Sequence, residues 1–199
     1  MKRIFATALL LTFVLMPLSA AHADINTRLH GESIAPYALT ADETALLSAF
    51  GLAGNAHVLA FDAPAAANSL YLNVYSLEAG EWRVDAGGSI VGVEGEPLDG
   101  LFTMLIKPDG SMELRIVNKG TSSFTSAPLA HIDEHIASSV GFLQEQRSIE
   151  LEEEIPVAMT VYDRDTAMSM FNLDDYHTPE RFEGMDAVRF VTLMFSSDP

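Results

Sequence analysis

Cysteine is absent from the 199-residue chain. That absence excludes a disulfide framework, a thiol nucleophile, a Cys-ligated zinc or iron–sulfur centre and a lipid-modified cysteine behind a leader. Cations are scarce as well: 11 Lys+Arg stand against 28 Asp+Glu, for a formal charge of -17, and the lysines are Lys2, Lys107 and Lys119 alone. Binding to phosphate backbones needs clustered cations, so nucleic acid is not an expected partner, and anionic membrane surfaces repel the same charge. Such acidity suits solubility, cationic partners or divalent ions. Past the N-terminal segment no apolar run approaches the ~18 residues of a membrane span, so no membrane insertion is expected once that segment is removed.

The N-terminal segment itself reads as a secretory signal. Lys2 and Arg3 make a basic n-region, residues 4–15 an apolar h-region, and Ala21-His22-Ala23 an A-x-A cleavage site. The expected mature protein starts at Asp24 and is secreted or periplasmic. Residues 24–36 read as a loose lead-in and residues 37–199 as one domain, a length that buries a core without disulfides.

Thr40-Ala41-Asp42-Glu43 is a capping-box pattern, since Thr40 can accept from first-turn amides and Glu43 can reach back. It predicts a helix over residues 41–50 that buries Leu46, Leu47 and Phe50 and stops at Gly51. Almost everything after it reads as strand. Residues 101–107 and 111–118 form a hairpin around Pro108-Asp109-Gly110, with Phe102, Met104, Ile106, Met112, Leu114 and Ile116 on a core face. Residues 70–77 and 81–85 form a second around Glu78-Ala79-Gly80. A three-residue loop there puts Leu70, Leu72 and Val74 on one face with Trp82 and Val84, whereas a one-residue slip mixes charges into that face. The opposite face then carries Tyr71, Asn73, Tyr75, Arg83 and Asp85. Further strands are expected at residues 56–61, 89–93, 140–144, 148–151, 157–162 and 187–196, the last apolar on both faces and therefore central. Short strands without crossover helices predict a mainly β fold: a single antiparallel β-sandwich or open barrel with one short N-terminal helix.

Three constellations can carry chemistry or binding. Tyr71 and Tyr75 offer flat rings with polar tips, and Asn73, Arg83 and Asp85 offer donors and acceptors beside them, a set that suits a carbohydrate, a peptide or a protein surface. His131-Ile132-Asp133-Glu134-His135 is an H-x-x-E-H sequence and resembles the inverzincin zinc peptidases over these five residues. The resemblance implies zinc held by His131 and His135, with Glu134 as base for a metal-bound water. Asp163, Asp165, Asn172, Asp174 and Asp175 gather oxygen ligands of the kind calcium prefers, but not at the spacing of a calcium-binding loop. The acidic run at residues 150–154 reads as a solvated strand end. No G-x-S-x-G elbow or phosphate-binding loop occurs, and Asp165-Thr166-Ala167 lacks the glycine of an aspartic protease loop.

The leading expectation is a secreted, non-catalytic binding module with no cofactor. One alternative is a zinc-dependent hydrolase built on His131, Glu134 and His135. The other is a structural secreted domain with no specific ligand.

Overall fold

The computed structural model describes residues 29–129, 137–164 and 170–199. The expected leader, the His131/Glu134/His135 cluster and Asp165 lie outside the described residues. The period-two pattern resolves into two antiparallel sheets. The first has six strands: β1 (Ser33–Pro36), β2 (Ala56–Asp62), β5 (Asp99–Ile106), β6 (Met112–Asn118), β7 (Gly120–Thr125) and β9 (Arg147–Ser148), in the order β7-β6-β5-β2-β1-β9. The second has five: β3 (Ser69–Glu78), β4 (Glu81–Val91), β8 (Ala137–Phe142), β10 (Glu154–Asp163) and β11 (Ala187–Ser196), in the order β4-β3-β11-β10-β8. The sheets do not close on each other, and the architecture is a mainly β sandwich.

Side chains from both sheets fill the space between them. Ile34, Leu59, Phe61, Phe102, Met104, Leu114 and Ile116 come from the six-stranded sheet, and Leu70, Leu72, Val74, Val191, Leu193 and Phe195 from the other; all are buried. The β5–β6 hairpin has the register expected of it, with Ile106 opposite Met112 and Lys107 N–H donating to Ser111. Strand β11 is central and covered on both faces, as its doubly apolar pattern predicts. Where β4 crosses β7, Gly88 permits the close approach, because a Cβ there would lie 2.1 Å from a ring carbon of Phe124.

Three expectations are corrected. Residues 33–36, inside the expected loose lead-in, are a strand whose Ile34 is fully buried between β2 and β9. Helix α1 (Ala41–Ala49) has its capping box, yet it buries no residue, and Leu46 and Phe50 are 60% and 71% exposed. A helix with good local signals needs no tertiary partner to be capped, so the cap located it without fixing what its apolar side chains touch.

The third correction concerns the β3–β4 hairpin. Glu78 pairs with Glu81, so the loop is the two residues Ala79 and Gly80, with φ of 51° and 83°. Positive φ at both positions is the geometry that matches strand twist in a tight hairpin. Trp82 therefore lies opposite Leu77, and Val84 opposite Tyr75, on the face pointing away from the other sheet. A β-bulge at Asp85 then resets the alternation, and Ala86, Gly88 and Ile90 stand opposite Val74, Leu72 and Leu70 on the inner face.

Asp85, at the bulge, meets Arg189, a 4% exposed arginine on β11. Arg189 Nη2 is 3.0 Å from Asp85 Oδ2, and its Nε donates to Ser76 Oγ at 3.2 Å. Nη1 crosses to the other sheet, donating to the carbonyls of Gly110 (3.2 Å) and Ala127 (2.9 Å). Ser76 completes the set with a hydrogen bond to Asp85. One guanidinium thus joins β11, β3 and β4 to the β5–β6 turn and the segment after β7. Removing one partner of such a group leaves the others buried and unpaired. Arg189→Met is expected to lower the unfolding free energy by about 3–5 kcal/mol in urea titrations, with Asp85→Asn costing less because Asp85 is partly solvated. Wild-type stability in the Arg189 variant would contradict this role.

Candidate binding face on the outer side of the five-stranded sheet

Alternation places one set of β3, β10 and β11 side chains away from the sandwich interior, and the chain covers half of that outer face itself. Two 3-10 helices, Leu173–His177 and Pro179–Phe182, lie across it. Asn172 caps the first by accepting from Asp174 N–H at 2.9 Å, and Asp175 reaches back to Asn172 N–H at 2.8 Å. Asp175 also binds Arg181, which ties the two helices together. Under them sits an aromatic cluster. Trp82 stacks on Tyr176 with ring centres 5.4 Å apart and meets Phe190 edge-on at 5.1 Å, while its indole N–H donates to the Tyr176 carbonyl at 2.8 Å. Phe182 packs on both Phe190 and Phe171. Such contacts add to burial and hold the cover in place.

Glu154 marks the border of the covered half. Its carboxylate accepts from Tyr75 Oη (2.6 Å), Asn73 Nδ2 (3.2 Å) and Thr192 Oγ1 (3.2 Å), and from Tyr176 Oη on the first 3-10 helix. Four donors occupy the carboxylate, so Glu154 is a fixed acceptor that positions its neighbours. Burial, followed by the hydrogen bond to Glu154 and the charge on it, pushes the Tyr75 phenol up to about 12. The same causes in the same order raise Tyr176 further.

Beyond Glu154 the outer face is open. Pairing aligns Ser89, Tyr71, Met194 and Glu154 in one row across four strands, and Gly87, Asn73 and Thr192 in the next. Ser89 and Gly87 are exposed, Tyr71, Asn73 and Met194 half-buried, and Thr192 fully buried. Gly87 leaves the floor bare beside Asn73, since a Cβ there would come within 2.9 Å of Asn73 Oδ1. The result is a shallow platform with one aromatic ring, an amide and a hydroxyl.

Of the residues the sequence grouped together, Tyr71, Asn73 and Tyr75 do share this face. Tyr75 is not free for a ligand, being held by Glu154 and Tyr176. Arg83 and Asp85 are elsewhere: Arg83 stands opposite Ser76 and pairs with Glu81 at 3.2 Å, and Asp85 binds Arg189. The two-residue turn is the reason: pairing Glu78 with Glu81 sets Arg83 opposite Ser76 and takes Asp85 off the tyrosine face. Glu154, Tyr176, Thr192 and Ser89 were missed. Glu154 is the last glutamate of the acidic run, and only the pairing of β10 with β11 tells it apart from its solvated neighbours. Of the proposed calcium ligands, Asn172 and Asp175 serve as helix caps and Asp174 pairs with Arg147 at 2.6 Å. Among the described residues no group of three or more His, Asp or Glu is placed to hold a metal ion, and no helix is long and apolar enough to cross a membrane.

No protein-family model matches the chain, and no curated protein or solved structure matches it.

The Glu154 cluster makes a pH prediction. An unfolded tyrosine loses its proton near ~10, whereas the folded Tyr75 and Tyr176 keep theirs to higher pH. Unfolding therefore releases protons above pH ~10, and stability falls as pH climbs from there toward 12. In Tyr75→Phe/Tyr176→Phe this alkaline slope should flatten, and stability at pH 7 should drop by about 1.5 kcal/mol or more for the lost bonds to a charged acceptor. Thermal unfolding from pH 7 to 11.5 measures both effects; an unchanged alkaline slope would show that the slope has another origin.

Proposed function

We propose that the protein is a non-catalytic binding module that acts after export, and that its ligand lies across the open half of the outer face on Tyr71, Asn73 and Ser89. The observation that carries this reading is the contrast within one sheet face. The chain spends two 3-10 helices and an aromatic cluster on one half, and leaves the Tyr71 row uncovered. A half-exposed ring beside directional polar groups on a bare floor suits a ligand with one apolar and one polar side. A sugar ring is the simplest such ligand, and an extended peptide or protein surface offers the same chemistry. The leader-like residues 1–23 support export.

Tyr71→Ala/Ser89→Ala is the variant to compare with wild type on a glycan array and a peptide array, with Asn73 kept because it donates to Glu154. Neither Tyr71 nor Ser89 belongs to the Arg189 clamp or the Glu154 cluster, and surface substitutions of this kind change stability by about 0.5–1 kcal/mol. The expected result is loss of the wild-type binding signal with a melting temperature close to that of wild type. Binding retained by the variant would move the site off this face.

A further inference from the structure

The covered half of the outer face ends in a groove of about 450 Å³ between the β3–β4 turn and the second 3-10 helix. Leu77, Pro179, Phe182 and Met185 give it an apolar lining, with Phe182 buried and Leu77 and Met185 packed against the core. Its walls are tight turns: Ala79 and Gly80 on one side, and Gly184 with φ of 88° on the other. The rim is acidic. Glu180 and Glu183 line the groove and Glu78 flanks the turn; all three are exposed.

No cation neutralises these three carboxylates among the described residues. The arginines nearby are committed, Arg83 to Glu81 at 3.2 Å and Arg181 to Asp175. Glu78 and Glu81 stand directly opposite each other across the hairpin, where like charges repel. An apolar floor beneath an unneutralised acidic rim is complementary to an apolar side chain flanked by cations. Charge of this sign also speeds the approach of a basic partner.

We propose that this groove docks a short basic segment of a partner protein. One apolar side chain rests on Leu77, Phe182 and Met185, and the flanking lysines or arginines face Glu180 and Glu183, with Glu78 adding negative charge beside the turn. The groove lies at the opposite end of β3 from Tyr71, roughly 20 Å away at ~3.3 Å per residue. It therefore stands independently of the binding face above.

The probe is the acetylated and amidated peptide Arg-Lys-Leu-Lys-Arg, titrated into 15N-labelled protein at physiological salt. Two controls accompany it, one with serine in place of leucine and one with glutamine in place of every cation. Saturable shifts are expected at residues 77–80 and 182–185. Both controls should bind at least about fivefold more weakly, and Glu180→Gln/Glu183→Gln should weaken the leucine peptide by a similar factor. Equal binding of the serine peptide, shifts scattered over the acidic surface, an unaffected double variant, or no saturable shift would each overturn the proposal.

Discussion

A single buried arginine sets the relation of the two sheets. Among the described residues Arg189 pairs with no carboxylate of the six-stranded sheet; it reaches that sheet through two backbone carbonyls and keeps its carboxylate partner, Asp85, on its own sheet. Apolar packing drives the sheets together without direction, while a planar fork of donors fixes their position at the end it occupies. The two-residue Ala79-Gly80 turn is needed for this. With a three-residue loop and no bulge, Asp85 would follow the alternation to the outer face and leave Arg189 without its partner.

The bulge in β4 limits what the sequence shows. The β5–β6 hairpin is regular, and its core face follows from alternation and a Pro-Asp-Gly turn alone. The β3–β4 hairpin obeys the same rule for four residue pairs, breaks it once, and obeys it again. A rule that penalises any slip of register favoured a longer loop over a short turn followed by a bulge, and so assigned Trp82 and Asp85 to the wrong faces. Nothing in residues 81–91 announces the bulge, and the partner of its extra residue, Arg189, lies about a hundred positions away. Most strands were legible, but β4 is one strand where residues 81–85 and 89–93 were expected as two, β9 shares only Ser148 with the expected 148–151, and β1 and β7 were missed. Strand β1 is too short to show a period, and β7, Gly120–Thr125, is mostly small and polar.

The outer face of the five-stranded sheet has a similar lesson. Tyr71, Asn73 and Tyr75 are equivalent by alternation, and their sequence spacing treats them alike. The 3-10 segment divides them. It lays Tyr176 over Tyr75, shares Glu154 between the two phenols, and ends before Tyr71. Which tyrosine is structural and which is open is decided by a segment roughly a hundred residues downstream, with the acidic run supplying the acceptor. The acidity of the chain is likewise uneven in its use. Asp85, Glu154 and Asp175 satisfy buried or partly buried donors, whereas Glu78, Glu180 and Glu183 stay open to solvent around an apolar groove.

The division of this face into a covered structural half and an open half is the claim on which the functional reading rests. Hydroxyl-radical footprinting read by mass spectrometry tests it most directly, by comparing oxidation of Tyr71 with that of Tyr176 and Phe182 in the folded protein. The account predicts that Tyr71 is oxidised several-fold faster than either aromatic under the 3-10 cover. Equal protection of Tyr71 and Tyr176 would mean that the whole face is covered and would contradict it.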